Sequence, residues 1–127
     1  MIPIDMEAMP AQRKILVVED EVLLRVPVCD MLRDSGMTVL EAGNADDALD
    51  WLRTDGDIQL VFTDVRMPGT MDGLGLSRRI RREFPHVKVI LTSAHAPPEP
   101  GVVMLIKPYI LSTVVTTIQT ALDGAVP

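Results

Sequence analysis

Apolar residues along this chain fall into two alternating patterns. Short runs of strand length, Lys14 to Val18, Thr38 to Leu40, Ile58 to Thr63, Val87 to Leu91 and Val102 to Ile106, alternate with stretches of helical spacing. Nearly unbroken apolar runs suit strands buried on both faces of a parallel sheet. Glu21 to Asp34 carries Val22, Val26, Cys29 and Leu32 at helical spacing and ends at Ser35-Gly36. Pro27 falls inside this helix, removes one backbone hydrogen bond, and is expected to kink the helix or shift its start. Asn44 offers an N-cap to a second helix, Ala45 to Arg53, with Ala48, Leu49 and Leu52 inward. Asp72-Gly73 precedes a third helix, Leu74 to Phe84, stopped by Pro85. Ile110 to Leu122 forms the last helix, with Leu111, Val114, Val115, Ile118 and Leu122 on its apolar face.

This alternation predicts an α/β domain over residues 14–123, with a leader at 1–13 and a tail at 124–127. The expected architecture is a doubly wound five-stranded parallel sheet of order 2-1-3-4-5, with ligands at the carboxyl ends of the strands. Pro3 and Pro10 and the lack of periodicity mark the leader as mobile. Ala94 to Gly101 contains Pro97, Pro98 and Pro100, which are incompatible with a long helix; the fourth helix is expected to be shortened or missing.

Charge and composition narrow the function. The net charge of −6 supplies no basic stripe for nucleic acid, so no nucleic-acid partner is expected. The run Arg78-Arg79-Ile80-Arg81-Arg82 reads as a solvated helix face. No apolar run approaches the ~20 residues that span a bilayer, and the leader lacks a signal-peptide pattern, so a cytoplasmic location without membrane contact is expected. Cys29, the single cysteine, reads as a small core residue. His86 and His95 are too few for a zinc site, Met67 and Met71 read as packing residues, and Trp51 reads as partly buried.

The chemistry collects at the strand ends. The first strand runs into Glu19-Asp20, the third into Asp64, the fourth into Thr92-Ser93 and the fifth into Lys107-Pro108. In the expected fold these ends share one edge, so three carboxylates, a hydroxyl and an ammonium converge. Crowded carboxylates resist ionising together, and a hard cation such as Mg²⁺ relieves this. Lys107 and Thr92 then supply donors to a phosphoryl group beside a carboxylate able to accept it.

Glu19-Asp20, Asp64-Val65-Arg66-Met67-Pro68-Gly69, Asp72-Gly73, Thr92-Ser93 and Lys107-Pro108 together resemble the signature of response-regulator receiver domains, from about Lys14 to Asp123. The Glu-Asp-Glu and Lys-Pro-Tyr forms resemble single-domain receivers of the chemotaxis-regulator type. The resemblance implies a flavodoxin-like fold, with Asp64 as phosphoacceptor and Thr92 and Lys107 contacting the phosphoryl group. It implies Mg²⁺ held by Asp20, Asp64 and the carbonyl of Arg66, with Glu19 assisting. It also implies a cis Lys107-Pro108 bond and a histidine kinase or phosphotransfer protein as donor. With no further domain after Pro127, output by contact with a downstream protein, or service as a phosphate sink, is expected; turnover of an external substrate is not. The sequence departs from the family pattern in a longer loop between Pro68 and Asp72, the short Thr92–Lys107 interval, and Met104 where an aromatic switch residue is usual.

Two other readings compete. A degenerate adaptor would bind a kinase without accepting phosphate; the intact acids, Thr92 and Lys107 argue against it. A phosphatase with an aspartyl nucleophile commonly needs a second aspartate two residues on, where this chain has Arg66.

Overall fold

A computed structural model describes residues 12–95 and 102–124. The elements are β1 (Lys14–Val18), α1 (Val22–Asp34), β2 (Thr38–Ala42), α2 (Ala45–Thr54), β3 (Leu60–Asp64), α3 (Gly73–Glu83), β4 (Lys88–Ser93), β5 (Met104–Ile106) and α4 (Leu111–Leu122). All five strands pair in parallel in the order β2-β1-β3-β4-β5, as the alternation of elements predicts. The order reverses between β1 and β3, so the loops leaving these two strands part and open a crevice at their carboxyl ends.

Strand alternation divides the core. Ile15, Val17, Leu60, Phe62 and Ile90 face one side and pack with Leu32 of α1 and Ile118 of α4. Leu16, Val18 and Val61 face the other side and pack with Leu49 of α2 and Leu76 and Ile80 of α3. β3 is buried throughout, as a central strand covered on both faces must be. Each fully buried leucine or isoleucine contributes about 1.5–3 kcal/mol, so this two-sided core can hold a polar site rigidly at its edge.

The helices begin where sequence chemistry places them. Asn44 accepts a hydrogen bond from Asp47 N at 2.8 Å and caps α2. Asp72 does the same for Gly75 N at 2.8 Å and caps α3. Within the arginine run Ile80 is fully buried, while Arg78, Arg81 and Arg82 are exposed. Cys29 is fully buried, and burial pushes its thiol up to about 12, as befits a core residue. Trp51 is partly exposed, and its indole N–H donates to Glu41 O at 2.9 Å.

The residues at helical spacing in α1 are only partly buried. Cys29 and Leu32 are buried, together with Val28, but Val22 and Val26 are exposed, as are Leu23 and Leu24. Helical spacing reports which residues share a face, not how far the neighbouring layer extends; here cover begins at Val28. The helix also starts at Val22 and runs through Pro27. The bond that Pro27 cannot make would have gone to the carbonyl of Leu23, in the uncovered half where water can serve as donor.

Among the described residues no helix lies between β4 and β5. Pro97, Pro98 and Pro100 lie outside the described residues, as do most of the leader and residues 125–127 of the tail. β5 begins at Met104 rather than Val102. No described helix is long and apolar enough to cross a membrane.

Candidate functional site

Backbone pairing continues past the strand ends and fixes the residues that follow. Glu19 N donates to Ala42 O at 3.0 Å, Val65 N to Thr92 O at 3.0 Å, and Lys107 N to Ser93 O at 2.7 Å. Asp64 stands directly opposite Thr92 in the β3–β4 register. The Lys107-Pro108 bond is cis, as the sequence resemblance implies.

These anchors bring the predicted residues together. Lys107 Nζ lies 2.6 Å from Asp64 Oδ2 and 4.0 Å from Glu19 Oε1. The other carboxylate oxygen of Asp64 accepts from Arg66 N at 3.0 Å. Asp64, Glu19 and Thr92 are buried, whereas Asp20 is exposed. Asp20, Asp64, Arg66 and Lys107 line an open cleft on the strand-end edge. Glu19 instead lines a narrower crevice behind it, which Asp64 and Thr92 also border. The two adjacent acids after β1 therefore occupy different environments, Glu19 buried at the inner crevice and Asp20 exposed at the open cleft.

Electrostatics follow from this crowding. Burial, a hydrogen bond with Asp20 and the charge of Asp64 push the Glu19 carboxyl up to about 7, against the pull of Lys107. Burial works against charge on Lys107, but its hydrogen bond to Asp64 and the charges of Asp64 and Glu19 outweigh that and raise its pKa. The site thus carries more carboxylate than one lysine neutralises. Among the described residues no three His, Cys, Asp or Glu side chains form a ready metal cage. An ion that keeps several waters and takes one or two carboxylates fits such a site better than one requiring a closed set of protein ligands.

The rim loop depends on Gly73, whose N–H donates to Val65 O at 2.8 Å. A Cβ at this position would lie 1.9 Å from Asp64 O, so only glycine lets α3 start this close to the end of β3. Met67 and Met71 pack against the α2–α3 side of the core, the role expected of them. His95 Nε2 lies 3.5 Å from Arg66 Nη2 at the cleft mouth.

Two residues at the site escaped sequence reasoning. Arg25 Nη1 donates to Glu19 O at 2.6 Å and Nε to Glu41 Oε1 at 3.0 Å, tying α1 to the first acidic pair. Tyr109 borders the inner crevice with Thr92. Its signal in the sequence is the aromatic that follows Lys107-Pro108.

A five-stranded parallel sheet of this order, with a buried aspartate held by a lysine between acids at one edge, defines a signalling domain of the receiver class. The profile of the response regulator receiver domain matches residues 15–111, and the chain belongs to that family. It is 33% identical over 118 residues to the sensor kinase CckA of Brucella abortus (strain 2308), covering 86% of this chain but 12% of the kinase. It is 37% identical over 93 residues to the response regulator UvrY of Escherichia coli (strain K12), covering 71% of this chain and 42% of that protein. This chain thus spans less than half the length of these two relatives. The crystal structure of the receiver domain of the hybrid histidine kinase CckA superposes with a TM-score of 0.74 at 34% identity, covering 86% of this chain and 98% of that one. The NtrX receiver domain of Brucella abortus superposes with a TM-score of 0.79 at 31% identity, covering 87% and 99%.

Proposed function

We propose that this receiver accepts a phosphoryl group on Asp64 from a phosphohistidine of a histidine kinase or phosphotransfer protein. The observation that carries this reading is the 2.6 Å contact of Lys107 Nζ with the buried Asp64 carboxylate, with Glu19 close behind. An Asp64 oxygen attacks phosphorus, the donor P–N bond breaks, and the departing imidazole keeps the electron pair and takes a proton. Lys107 and Thr92 then hold phosphoryl oxygens that gain charge during transfer. Water later attacks phosphorus, returning the carboxylate and inorganic phosphate.

Asp20, Asp64 and the carbonyl of Arg66 would hold Mg²⁺, with Glu19 acting through water. The gathering of Asp20, Asp64 and Glu19 around the single ammonium of Lys107 supports this assignment. When bound, the ion neutralises charge on the carboxylates and on the incoming phosphoryl oxygens. The role is signalling rather than turnover of an external substrate.

Val22, Leu23 and Val26 are exposed on one side of the start of α1, and Ile110 at the start of α4 is also exposed. α1 and α4 pack on each other beside the acceptor site, which suits this face to docking the donor protein. Incubation with acetyl phosphate and Mg²⁺, followed by intact mass, tests the acceptor reading. The expected gain is about 80 Da, the mass of one phosphoryl group, and Asp64→Asn should abolish it. No gain in the native protein would instead favour a kinase-binding adaptor.

A further inference from the structure

We propose that Tyr109 is a positioning residue for the acceptor reaction, its phenol aiming the Thr92 hydroxyl at the phosphoryl group on Asp64. The proposal rests on the phosphoacceptor reading above and adds a residue to it.

Thr92 is 3% exposed, and its Oγ1 is buried with no hydrogen-bond partner among the described residues. A buried hydroxyl left unpaired is costly, so its isolation calls for a reason. Alternation along β3 and β4 puts Phe62, Asp64, Ile90 and Thr92 on the sheet face covered by α1 and α4. Tyr109 packs on that same face. Its ring meets Phe62 edge-on, with centroids 6.2 Å apart and planes at 80°. Glu19, Asp64, Thr92 and Tyr109 border one narrow crevice. The phenol approaches the Thr92 hydroxyl there, short of ordinary hydrogen-bond geometry.

The chemistry of the two groups is complementary. A threonine hydroxyl has one proton to donate and two lone pairs. When it donates to a phosphoryl oxygen, a lone pair is left facing the crevice. Tyr109 can fill it, because its O–H stays protonated: burial raises its pKa, as do the charges of Glu19 and Asp64, against the pull of Lys107 and Thr92. The small closure needed to complete this bond would form in the phosphorylated state and favour the hydroxyl orientation that points to phosphorus. Met104 takes no part, since Val103 and Leu105 on either side of it pack on the α1–α4 face.

Tyr109 is the chain's single tyrosine, so a ring-labelled tyrosine gives one resolved environment by NMR. Beryllofluoride with Mg²⁺ serves as the phosphoryl probe, its uptake read separately by fluorine NMR. The Tyr109 signal should move on uptake in the native protein and in Thr92→Ser, and stay largely still in Thr92→Ala. Tyr109→Phe keeps the edge contact with Phe62 but removes the hydroxyl. It should slow phosphorylation by acetyl phosphate roughly three- to tenfold, the worth of one hydrogen bond. In Thr92→Ala background the same change should add nothing further.

A Tyr109 signal that moves equally with and without the Thr92 hydroxyl overturns the proposal. So do rate effects of the two substitutions that simply multiply. Should Thr92→Ala take up no beryllofluoride, the rate cycle decides alone. Native protein that gains no mass and takes up no beryllofluoride overturns the acceptor reading itself, and this proposal with it.

Discussion

Lys107 Nζ sits 2.6 Å from Asp64 Oδ2, joining the end of β5 to the end of β3 across β4. The lysine side chain is less than one-third exposed and the aspartate about one-tenth. Lys107→Met would leave Asp64 and Glu19 without the ammonium that faces them. The metal-free variant should lose about 1–3 kcal/mol of stability, the cost of an unpaired buried group. Its phosphorylation by acetyl phosphate should slow on the order of a hundredfold, as when a donor to developing oxyanion charge is removed. Urea melts and a time course of intact mass measure the two effects, and an unchanged rate would remove Lys107 from the transfer step.

Glu19 makes the metal-free protein sensitive to pH in an uncommon direction. Its carboxyl is raised from 4.5 to about 7, so between those values the folded state binds more protons than the unfolded one. Stability from this group is therefore fully present below about 4.5 and declines as pH rises through about 7, by at most ~1.4 kcal/mol per pKa unit. Urea melts at about pH 5.5 and about pH 7.5 should show this loss in the native protein and not in Glu19→Gln. Mg²⁺ competes with the proton, so its affinity should rise over the same interval, and Asp20→Asn should weaken it at least about tenfold. A native melt that strengthens with pH in the absence of metal would contradict the assignment.

Gly73 is a steric requirement for the site. A methyl group there would stand 1.9 Å from the Asp64 carbonyl oxygen and within 3 Å of Val65 Cα. Gly73→Ala should cost more than about 3 kcal/mol, because backbone rather than a mobile side chain must yield. A methyl group at Gly56 would meet nothing within 4 Å, so Gly56→Ala should stay within about 0.5 kcal/mol of native. Comparable thermal melts for the two variants would refute the tight junction of β3 and α3.

Leu23 is 87% exposed on α1. Leu23→Asp should leave phosphorylation by acetyl phosphate and thermal stability essentially native. Transfer from a phosphorylated kinase or phosphotransfer protein should slow by tenfold or more, about 1.4 kcal/mol of lost docking. Equal slowing with both donors would mean that the substitution disturbs the acceptor site rather than a docking face.

The sequence by itself determined the sheet, its order and the residues gathered at its edge. Hydrophobic runs alternated with helical spacing, and a parallel sheet sends every carboxyl end the same way. Glu19, Asp20, Asp64, Thr92 and Lys107 could therefore be grouped from the order of residues alone. Asn44 and Asp72 were equally legible as caps, because capping is a local hydrogen bond. Tertiary structure alone decided what depends on how layers meet. It separated buried Glu19 from exposed Asp20, and it uncovered Val22 and Val26 by ending the neighbouring layer at Val28. It set Gly73 against the Asp64 carbonyl and Tyr109 beside Thr92. Each of these depends on distances between chain segments far apart or turned by a loop, which periodicity along one segment does not encode.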